Sequence, residues 1–177
     1  MLDSWAMQHL GTPYDGEGAW AANGVPQLSL LNDLLSDPYF QRSPPKSTGR
    51  EYFNGLWLQS YLKGHAQSFA PVDIQATLLE LTAQSIRRAI RFSDNSDSII
   101  LLCGGGVHNQ QLIKRLQVEC HPHPVATIQE WTGLHPDLVE AACFAWLAKQ
   151  TLEGKPGNCP KVTGARKPTI LGAIYPA

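Results

Sequence analysis

The hydrophobic and polar positions of the chain change pattern sharply near its middle. An unbroken apolar run at residues 99–102 ends at three consecutive glycines, Gly104–Gly106, after which polar residues return. The apolar positions that follow recur with roughly helical spacing: Val107, Leu112, Ile113 and Leu116. A run of leucine and β-branched residues is typical of a strand buried on both faces of a parallel sheet. The pattern therefore predicts a buried strand, a glycine turn and an amphipathic helix.

Helical periodicity dominates the rest of the chain. It predicts helices over residues 2–10, 15–22, 26–35, 50–63, 71–92 and 136–152. The first has Asp3 or Ser4 as its cap and ends at Gly11. Arginines 87, 88 and 91 fall in the last turns of the longest helix, where a solvated helix end is favoured over a binding patch.

Shorter segments complete the pattern. The apolar runs at residues 124–128 and 169–174 predict two more strands. Residues 37–49 are rich in proline and serine and predict a long irregular connection. This order of elements indicates an α/β fold. About three strands is fewer than a typical sheet contains, so we expect a sheet partner upstream of this chain.

Composition and charge exclude several classes of function. The 177 residues are 43% hydrophobic and 16% charged with a net charge of −1, so the length predicts one domain and nothing attracts nucleic acid or anionic lipid. No apolar run approaches the length of a membrane span, and residues 1–5 lack the features of a signal peptide. We therefore expect a cytoplasmic protein.

The four cysteines, at positions 103, 120, 143 and 159, form no C-x-x-C pair. Reduced, buried thiols are expected. The cluster at residues 120–123, Cys-His-Pro-His, is too closely spaced for a typical zinc site and lacks a second ligand pair, so no metal site is predicted.

The glycine turn is the best candidate for a binding site. Glycines without Cβ let a ligand approach the backbone, and the helix behind them offers free N–H groups. The alternative is that the glycines only make a tight turn. The run matches neither the dinucleotide-binding G-x-G-x-x-G motif nor the phosphate-binding loop that ends in G-K-[ST].

Several segments together resemble the carboxyl-terminal half of the anhydro-N-acetylmuramic acid kinases, members of the actin-like sugar-kinase superfamily. The most specific is Pro44-Pro45-Lys46-Ser47-Thr48-Gly49-Arg50-Glu51. The others, in the order of the family, are Leu2-Asp3-Ser4-Trp5, Tyr14-Asp15, Phe53-Asn54, Cys103-Gly104-Gly105-Gly106 with Asn109, Glu140-Ala141, Phe144-Ala145-Trp146-Leu147-Ala148 and Leu171-Gly172-Ala173-Ile174-Tyr175-Pro176.

The resemblance implies a ribonuclease-H-like, actin-like ATPase lobe with a mixed sheet flanked by helices. Residues 1–177 would form one carboxyl-terminal lobe of a two-lobe enzyme. With ATP and Mg²⁺, that enzyme opens the ring of 1,6-anhydro-N-acetylmuramic acid with water. The product is N-acetylmuramic acid 6-phosphate, in peptidoglycan recycling. The family's phosphate loop and general base lie in the other lobe, so no residue here inherits a catalytic role. We expect the chain alone to be inactive.

The resemblance also implies binding roles. Gly104, Gly105 and Gly106 correspond to the adenosine motif of the superfamily's second lobe. Asn109 is a candidate contact to ribose or base, the alternative being a helix cap. Glu140 is a candidate contact to sugar hydroxyls or, alternatively, a solvated helix charge.

Other polar residues receive no functional assignment. Residues 46–50 suit either an anion site or a structural role, because Thr48 and Glu51 have the spacing of a capping box. No histidine has a catalytic spacing. The tryptophans, scattered along the chain, are expected mostly in the core.

Two alternatives to a kinase lobe stay open: a non-catalytic nucleotide-binding module and a structural remnant of a truncated gene. An upstream segment with an aspartate and Gly-Pro-Gly-Asn would favour the kinase. The predicted partners are the anhydro sugar and the amino-terminal lobe, with no nucleic acid and no membrane. The oligomeric state is left open, a homodimer included.

Overall fold

The computed structural model describes residues 1–66, 68–90 and 98–175. Their α-helices are α1 (Leu2–Leu10), α2 (Leu28–Leu35), α3 (Pro38–Gln41), α4 (Gly55–Leu62), α5 (Pro71–Ile90), α6 (Gln110–Glu119), α7 (Ile128–Thr132), α8 (Val139–Leu152) and α9 (Pro160–Thr163). The strands are β1 (Ile100–Leu102) and β2 (Val125–Thr127). None of the described helices combines the length and the apolar composition that a membrane span requires.

Helix α5 is the centre of the molecule, with α1, α2 and α6 packed around it. One core cluster joins α5 to α1, α2 and α4: Trp5, Leu30, Leu31, Leu34, Leu35, Leu58, Ile74, Leu78 and Leu81. A second joins it to α6: Ala21, Leu79, Ala83, Leu112, Leu116 and Cys120. The Trp5 indole also donates a hydrogen bond of 2.9 Å to the carbonyl of Pro71.

One buried carboxylate of α5, that of Glu80, has its main partner on a neighbouring helix. The Glu80 carboxylate accepts hydrogen bonds of 2.7 and 2.8 Å from the guanidinium of Arg115 on α6. Burial raises the pKa of Glu80, but hydrogen bonds from Arg115 and Gln84 outweigh it and hold that pKa below its usual value. Arg115 also donates to Glu119 at 2.5 Å. This bonding fixes α6 against α5.

The sheet is smaller than expected. β1 and β2 pair in parallel with Ile100 opposite Val125 and Leu102 opposite Thr127, so the strand, glycine turn and helix predicted from residues 99–116 are confirmed. The strand is only half-buried, not buried on both faces. Residues 169–174 form no strand, because they lie exposed with no neighbouring strand among the described residues. The predicted mixed sheet is therefore wrong: the described sheet is a parallel pair.

Several predicted helices begin or end elsewhere. The first helix has its predicted bounds, Leu2–Leu10, but neither Asp3 nor Ser4 caps it. Residues 15–22 form two 3₁₀ turns, Gly16–Gly18 and Ala21–Asn23. The helix predicted from residue 26 begins at Leu28.

The proline-rich connection is also more regular than predicted. Pro38 occupies the first turn of α3, where a missing N–H costs nothing, and Asp37 caps that helix. The helix expected over residues 50–63 begins at Gly55, because the Asn54 side chain accepts from two backbone N–H groups of α4. Thr48 and Glu51 therefore form no capping box.

The arginines of α5 contact protein groups rather than solvent alone. Arg87 lies 3.7 Å from Glu119, and Arg88 donates to the carbonyl of Leu35 at 3.2 Å, which satisfies the end of α2. The predicted end of this helix at residue 92, with Arg91, lies outside the described residues. The expectation of a solvated helix end is wrong for Arg88.

Burial of the cysteines and tryptophans also differs from expectation. Only Cys120 is buried, and desolvation raises the pKa of its thiol; the other three cysteines are exposed. Trp5 lies in the core, whereas Trp131 and Trp146 are more than half exposed. All of these exposed residues except Cys103 follow β2, in a part of the chain that buries little.

Candidate functional site

A cavity of about 810 Å³ opens between α1, α5 and the glycine turn. Apolar residues of α5 form one side of it, and the loop after α1, the proline-rich segment and α4 contribute the rest. Its lining includes Asp3, Tyr14, Asp15, Glu17, Tyr39, Phe40, Lys46, Thr48, Phe53, Trp57, Gly105, Gly106, His108 and Asn109. A mainly apolar cavity with a few converging polar groups is typical of a small-molecule site.

The glycine turn lies between β1 and α6. Gly104 has a φ of 73° and a ψ of −174°, a backbone conformation that a residue with a side chain rarely adopts, and its N–H donates to the carbonyl of Pro136 at 3.1 Å. A Cβ added to Gly105 or Gly106 would meet no atom within 4 Å. The fold therefore requires Gly104, whereas Gly105 and Gly106 leave open space beside the cavity.

Asn109 is the cap of α6. Its Oδ1 accepts a hydrogen bond of 2.9 Å from the N–H of Leu112, which confirms the cap alternative. The same residue lines the cavity, and no hydrogen bond joins its Nδ2 to another described residue. Its cap role thus leaves the amide nitrogen able to donate to a ligand.

The loop after α1 is pressed against this cap. Gly18 has a φ of +75°, and a Cβ on it would overlap the Asn109 Oδ1. The neighbouring Glu17 also has a positive φ, of 55°, and lines the cavity. The buried Asp15 carboxylate anchors the loop by accepting from the N–H groups of Trp20 at 2.8 Å and Ala21 at 2.9 Å.

Asp37 organises the opposite wall. Its carboxylate accepts hydrogen bonds from the hydroxyls of Tyr52 and Tyr61, from the indole of Trp57 and from the N–H of Tyr39. Although burial raises the pKa of Asp37, these hydrogen bonds lower it below its usual value. Burial and the Asp37 hydrogen bond raise the pKa of Tyr61 to about 12. One carboxylate thus holds three aromatic side chains in place, of which Trp57 lines the cavity.

Lys46 belongs to the same wall. Its ammonium donates to the carbonyls of Tyr39 at 3.1 Å and Phe40 at 3.5 Å, and lies 4.8 Å from the centre of the Tyr39 ring. These contacts satisfy the end of α3, so Lys46 has the structural role considered for residues 46–50. Lys46 and Thr48 line the cavity, but Arg50 does not.

His108 and Asp137 form a pair that sequence reasoning missed. The His108 Nε2 lies 3.0 and 3.1 Å from the two carboxylate oxygens of Asp137, at the mouth of the glycine turn. Asp137 lies in the 3₁₀ turn Pro136–Leu138, immediately before α8. The residues are 29 positions apart, so no local motif could have shown the contact.

Glu140 does not reach the cavity. It is exposed in the first turn of α8, three residues beyond Asp137. Gly104 does not line the cavity either, so the structure brings Gly105, Gly106 and Asn109 together there and leaves Glu140 outside. No group of three or more His, Cys, Asp or Glu side chains in the described part of the chain is arranged to hold a metal ion.

A parallel strand with a glycine turn and a cavity at its carboxyl end fits the ligand-binding edge of an α/β protein. The family model for anhydro-N-acetylmuramic acid kinase matches residues 1–177, and the chain belongs to that family. A kinase of that name from Coxiella burnetii strain Dugway is 57% identical over 176 residues, covering 99% of this chain. The anhydro-N-acetylmuramic acid kinase of Chromohalobacter salexigens is 48% identical over 180 residues, which also cover 99% of this chain. The one from Xanthomonas campestris strain 8004 is 49% identical over 177 residues, covering all of it.

The chain spans about half the length of the curated relatives it matches. The aligned region is 46% of the Coxiella kinase, 47% of the Chromohalobacter kinase and 46% of the Xanthomonas kinase. A half-length match supports membership of the family. It does not support the expected assignment to the carboxyl-terminal half.

Proposed function

We propose that this chain contributes the adenosine site of a kinase that phosphorylates 1,6-anhydro-N-acetylmuramic acid. The names of the relatives support the reaction class and the sugar. In the proposed reaction, water opens the anhydro ring and the freed 6-hydroxyl takes the γ-phosphoryl group of ATP, giving N-acetylmuramic acid 6-phosphate and ADP. The observation that carries the proposal is the open space at Gly105 and Gly106 beside a cavity large enough for a nucleoside.

The charge of the lining favours the nucleoside over the phosphates. Three carboxylates, of Asp3, Asp15 and Glu17, line the cavity, whereas Lys46 is the one lysine or arginine in its described lining. A polyphosphate would be repelled there, whereas an uncharged base and ribose can use the aromatic and aliphatic surface. The amide nitrogen of Asn109 would donate to the ribose or base.

Phosphoryl transfer from ATP generally uses Mg²⁺. The described residues contain no group of three or more His, Cys, Asp or Glu side chains that could hold a metal ion by themselves, and Mg²⁺ would be held largely by the phosphates of ATP. In the proposed reaction, these residues bind and orient adenosine.

Titration of the ¹⁵N-labelled chain, followed by amide NMR, tests the adenosine site. Adenosine and ATP should shift the amides of residues 104–109 to similar extents, with a dissociation constant on the order of 1 mM because one lobe provides only part of the contact. Gly105→Val should abolish these shifts by placing a branched side chain in the open space. Gly55→Val is the matched control, because a Cβ there also meets nothing within 4 Å, but away from the cavity. ATP shifts near Lys46 and Arg50 with residues 104–109 unmoved would contradict the assignment.

We further propose that Glu140 accepts hydrogen bonds from the sugar. Its place on α8, just beyond the Asp137 that contacts His108, puts it near the glycine turn without entering the cavity. The chain joined to the remaining part of a relative provides the assay. Glu140→Gln should lower kcat/KM for the sugar by about 1–3 kcal/mol of transition-state free energy and leave the KM for ATP nearly unchanged. Equal effects on both substrates would count against a sugar contact.

A further inference from the structure

Helix α8 is apolar on every side, and yet none of its residues is fully buried. Ten of its fourteen residues are apolar, but the structure gives it no buried residue. Phe144 is 64% exposed, Trp146 51% and Leu152 74%. A helix that is hydrophobic all round belongs in an interior, and fourteen residues are too few to cross a membrane.

The residues after α8 extend this exposed surface instead of covering it. Gly157 packs on the Leu147 side chain, and the Thr151 hydroxyl donates to the carbonyl of Leu171, so the tail runs along one side of the helix. Ile174 is nevertheless 64% exposed and Tyr175 89%. We call residues 139–175 the α8–tail surface.

The α8–tail surface also differs in charge from the rest of the chain. It has five Lys or Arg against two Asp or Glu, a net charge of +3, whereas residues 1–138 have nine against thirteen, a net charge of −4. Lys149 and Lys155 contact Glu153. Lys161, Arg166 and Lys167 form no ion pair with any other described residue.

We propose that the α8–tail surface docks on the part of the family's polypeptide that lies outside the matched region. The relatives are more than twice as long as the aligned stretch, so a member of this family has about 54% of its length available to cover α8. The docking face would have an apolar centre with carboxylates around its edge. A second copy of this chain is disfavoured as the occupant, because it would oppose one net positive surface with another.

Thiol labelling followed by mass spectrometry tests the proposal, since α8 has an exposed cysteine, Cys143, and the core has a buried one, Cys120. The 177-residue chain is compared with the same chain joined to the stretch of the Coxiella kinase outside the alignment. Cys143 should react at least about tenfold more slowly in the joined protein, because labelling then requires local opening, while Cys120 stays slow in both.

Two variants show whether the protection comes from this surface. Trp146→Asp should restore fast labelling of Cys143 in the joined protein. Val118→Asp, at an apolar residue of α6 that is 64% exposed, should leave the protection intact. Urea unfolding of the chain alone should be nearly unchanged by either variant, which separates loss of docking from loss of folding.

Other outcomes would overturn the proposal. Fast labelling of Cys143 in the joined protein would show that α8 stays uncovered. Protection of Cys143 in the chain alone that rises with concentration, with a dimer in sedimentation, would make a second copy the occupant. Protection only on phosphatidylglycerol vesicles would make it a lipid surface. None of these outcomes depends on whether the cavity binds adenosine.

Discussion

The body of the molecule, residues 1–138, and the α8–tail surface use similar apolar residues in opposite ways. In the body, α5 and its neighbours bury leucines almost completely, and buried carboxylates such as Asp37 and Glu80 are matched by several donors. In α8 no apolar residue is buried. Helices α2, α5 and α6 have most of their apolar residues on the side that faces a neighbour, whereas α8 has them all round. A helix with one apolar face thus packs within the chain. A helix that is apolar all round is expected to pack against a surface that this chain does not provide.

The largest contrast should appear when one leucine is truncated in each region. Leu30→Ala, at a fully buried side chain of α2, should lower the free energy of unfolding by about 3–5 kcal/mol. Leu152→Ala, at a side chain that is 74% exposed, should change it by less than about 0.5 kcal/mol. Urea unfolding followed by circular dichroism measures both. A large cost at Leu152 would mean that α8 is packed within this chain.

The next largest loss of unfolding free energy is expected when the Asp37 carboxylate is removed. Asp37→Asn leaves hydrogen-bond donors of Tyr52, Trp57 and Tyr61 poorly matched and should cost about 2–3 kcal/mol. Asp33→Asn is the control, because the Asp33 side chain is 59% exposed and its carboxylate pairs with His65 alone among the described residues. Losing that exposed ion pair should cost about 0–1 kcal/mol. If the two substitutions cost the same in urea unfolding, the aromatic wall does not depend on Asp37.

The lowered pKa of the Asp37 carboxyl predicts that the stability of the chain depends on pH. Since the pKa of Asp37 is lower in the folded chain, the unfolded chain binds a proton first as the pH falls. Its contribution to stability is therefore complete above the unfolded pKa of about 4 and is lost as the pH falls through the folded value. Acid unfolding of the Asp37→Asn variant should be shallower below about pH 4 than that of the unchanged chain. Parallel curves would contradict this.

A smaller effect is expected at Gly18. In Gly18→Ala the new Cβ has an unfavourable positive φ and meets the Asn109 cap, so we expect a loss of about 1–3 kcal/mol and weaker adenosine binding. Gly16→Ala, where a Cβ meets nothing within 4 Å, should cost less than about 0.5 kcal/mol. Calorimetric unfolding and the NMR titration report the two effects separately. Unchanged adenosine shifts in Gly18→Ala would mean that the loop does not shape the site.

The smallest effect is expected at Thr127, and it tests whether α7 unfolds with the body or belongs with the α8–tail surface. Thr127 and Glu130 form a capping box at the start of α7, which lies between β2 and α8. Thr127→Ala should cost about 1 kcal/mol if α7 unfolds together with the body. Thr12→Ala, which removes one exposed hydrogen bond to the carbonyl of Tyr14, is the control. No change at Thr127 in urea unfolding would place α7 with the α8–tail surface.

The sequence predicts local features of the fold well where one periodicity dominates. The 3.6-residue pattern found α5, and the apolar run before Gly104–Gly106 found β1, the turn and α6. The pattern predicted the wrong first residue for α4, because the Asn54 side chain caps that helix and α4 begins only at Gly55. It also failed at residues 169–174, because a strand needs a neighbour that no local pattern can supply.

The candidate site was predictable in part for the same reason. Gly105, Gly106 and Asn109 line the cavity, and they could be predicted as candidates because the strand, turn and helix that hold them are consecutive. The rest of the cavity comes from segments far apart in sequence, such as Glu17, Lys46 and α5, and only the fold brings them together. The contact between His108 and Asp137 likewise joins residues far apart in sequence, 29 positions from each other.

The hydrogen bond from the Trp5 indole to the carbonyl of Pro71 also bears on how the chain folds as it is made. It joins residues 66 positions apart, and the bond from Arg88 to Leu35 joins residues 53 apart. Contacts this distant in sequence must wait until both partners have left the ribosome, and they slow folding because a long loop has to close first. Helix α1 therefore emerges without its partner, and the first core can close only after α5 has been synthesised.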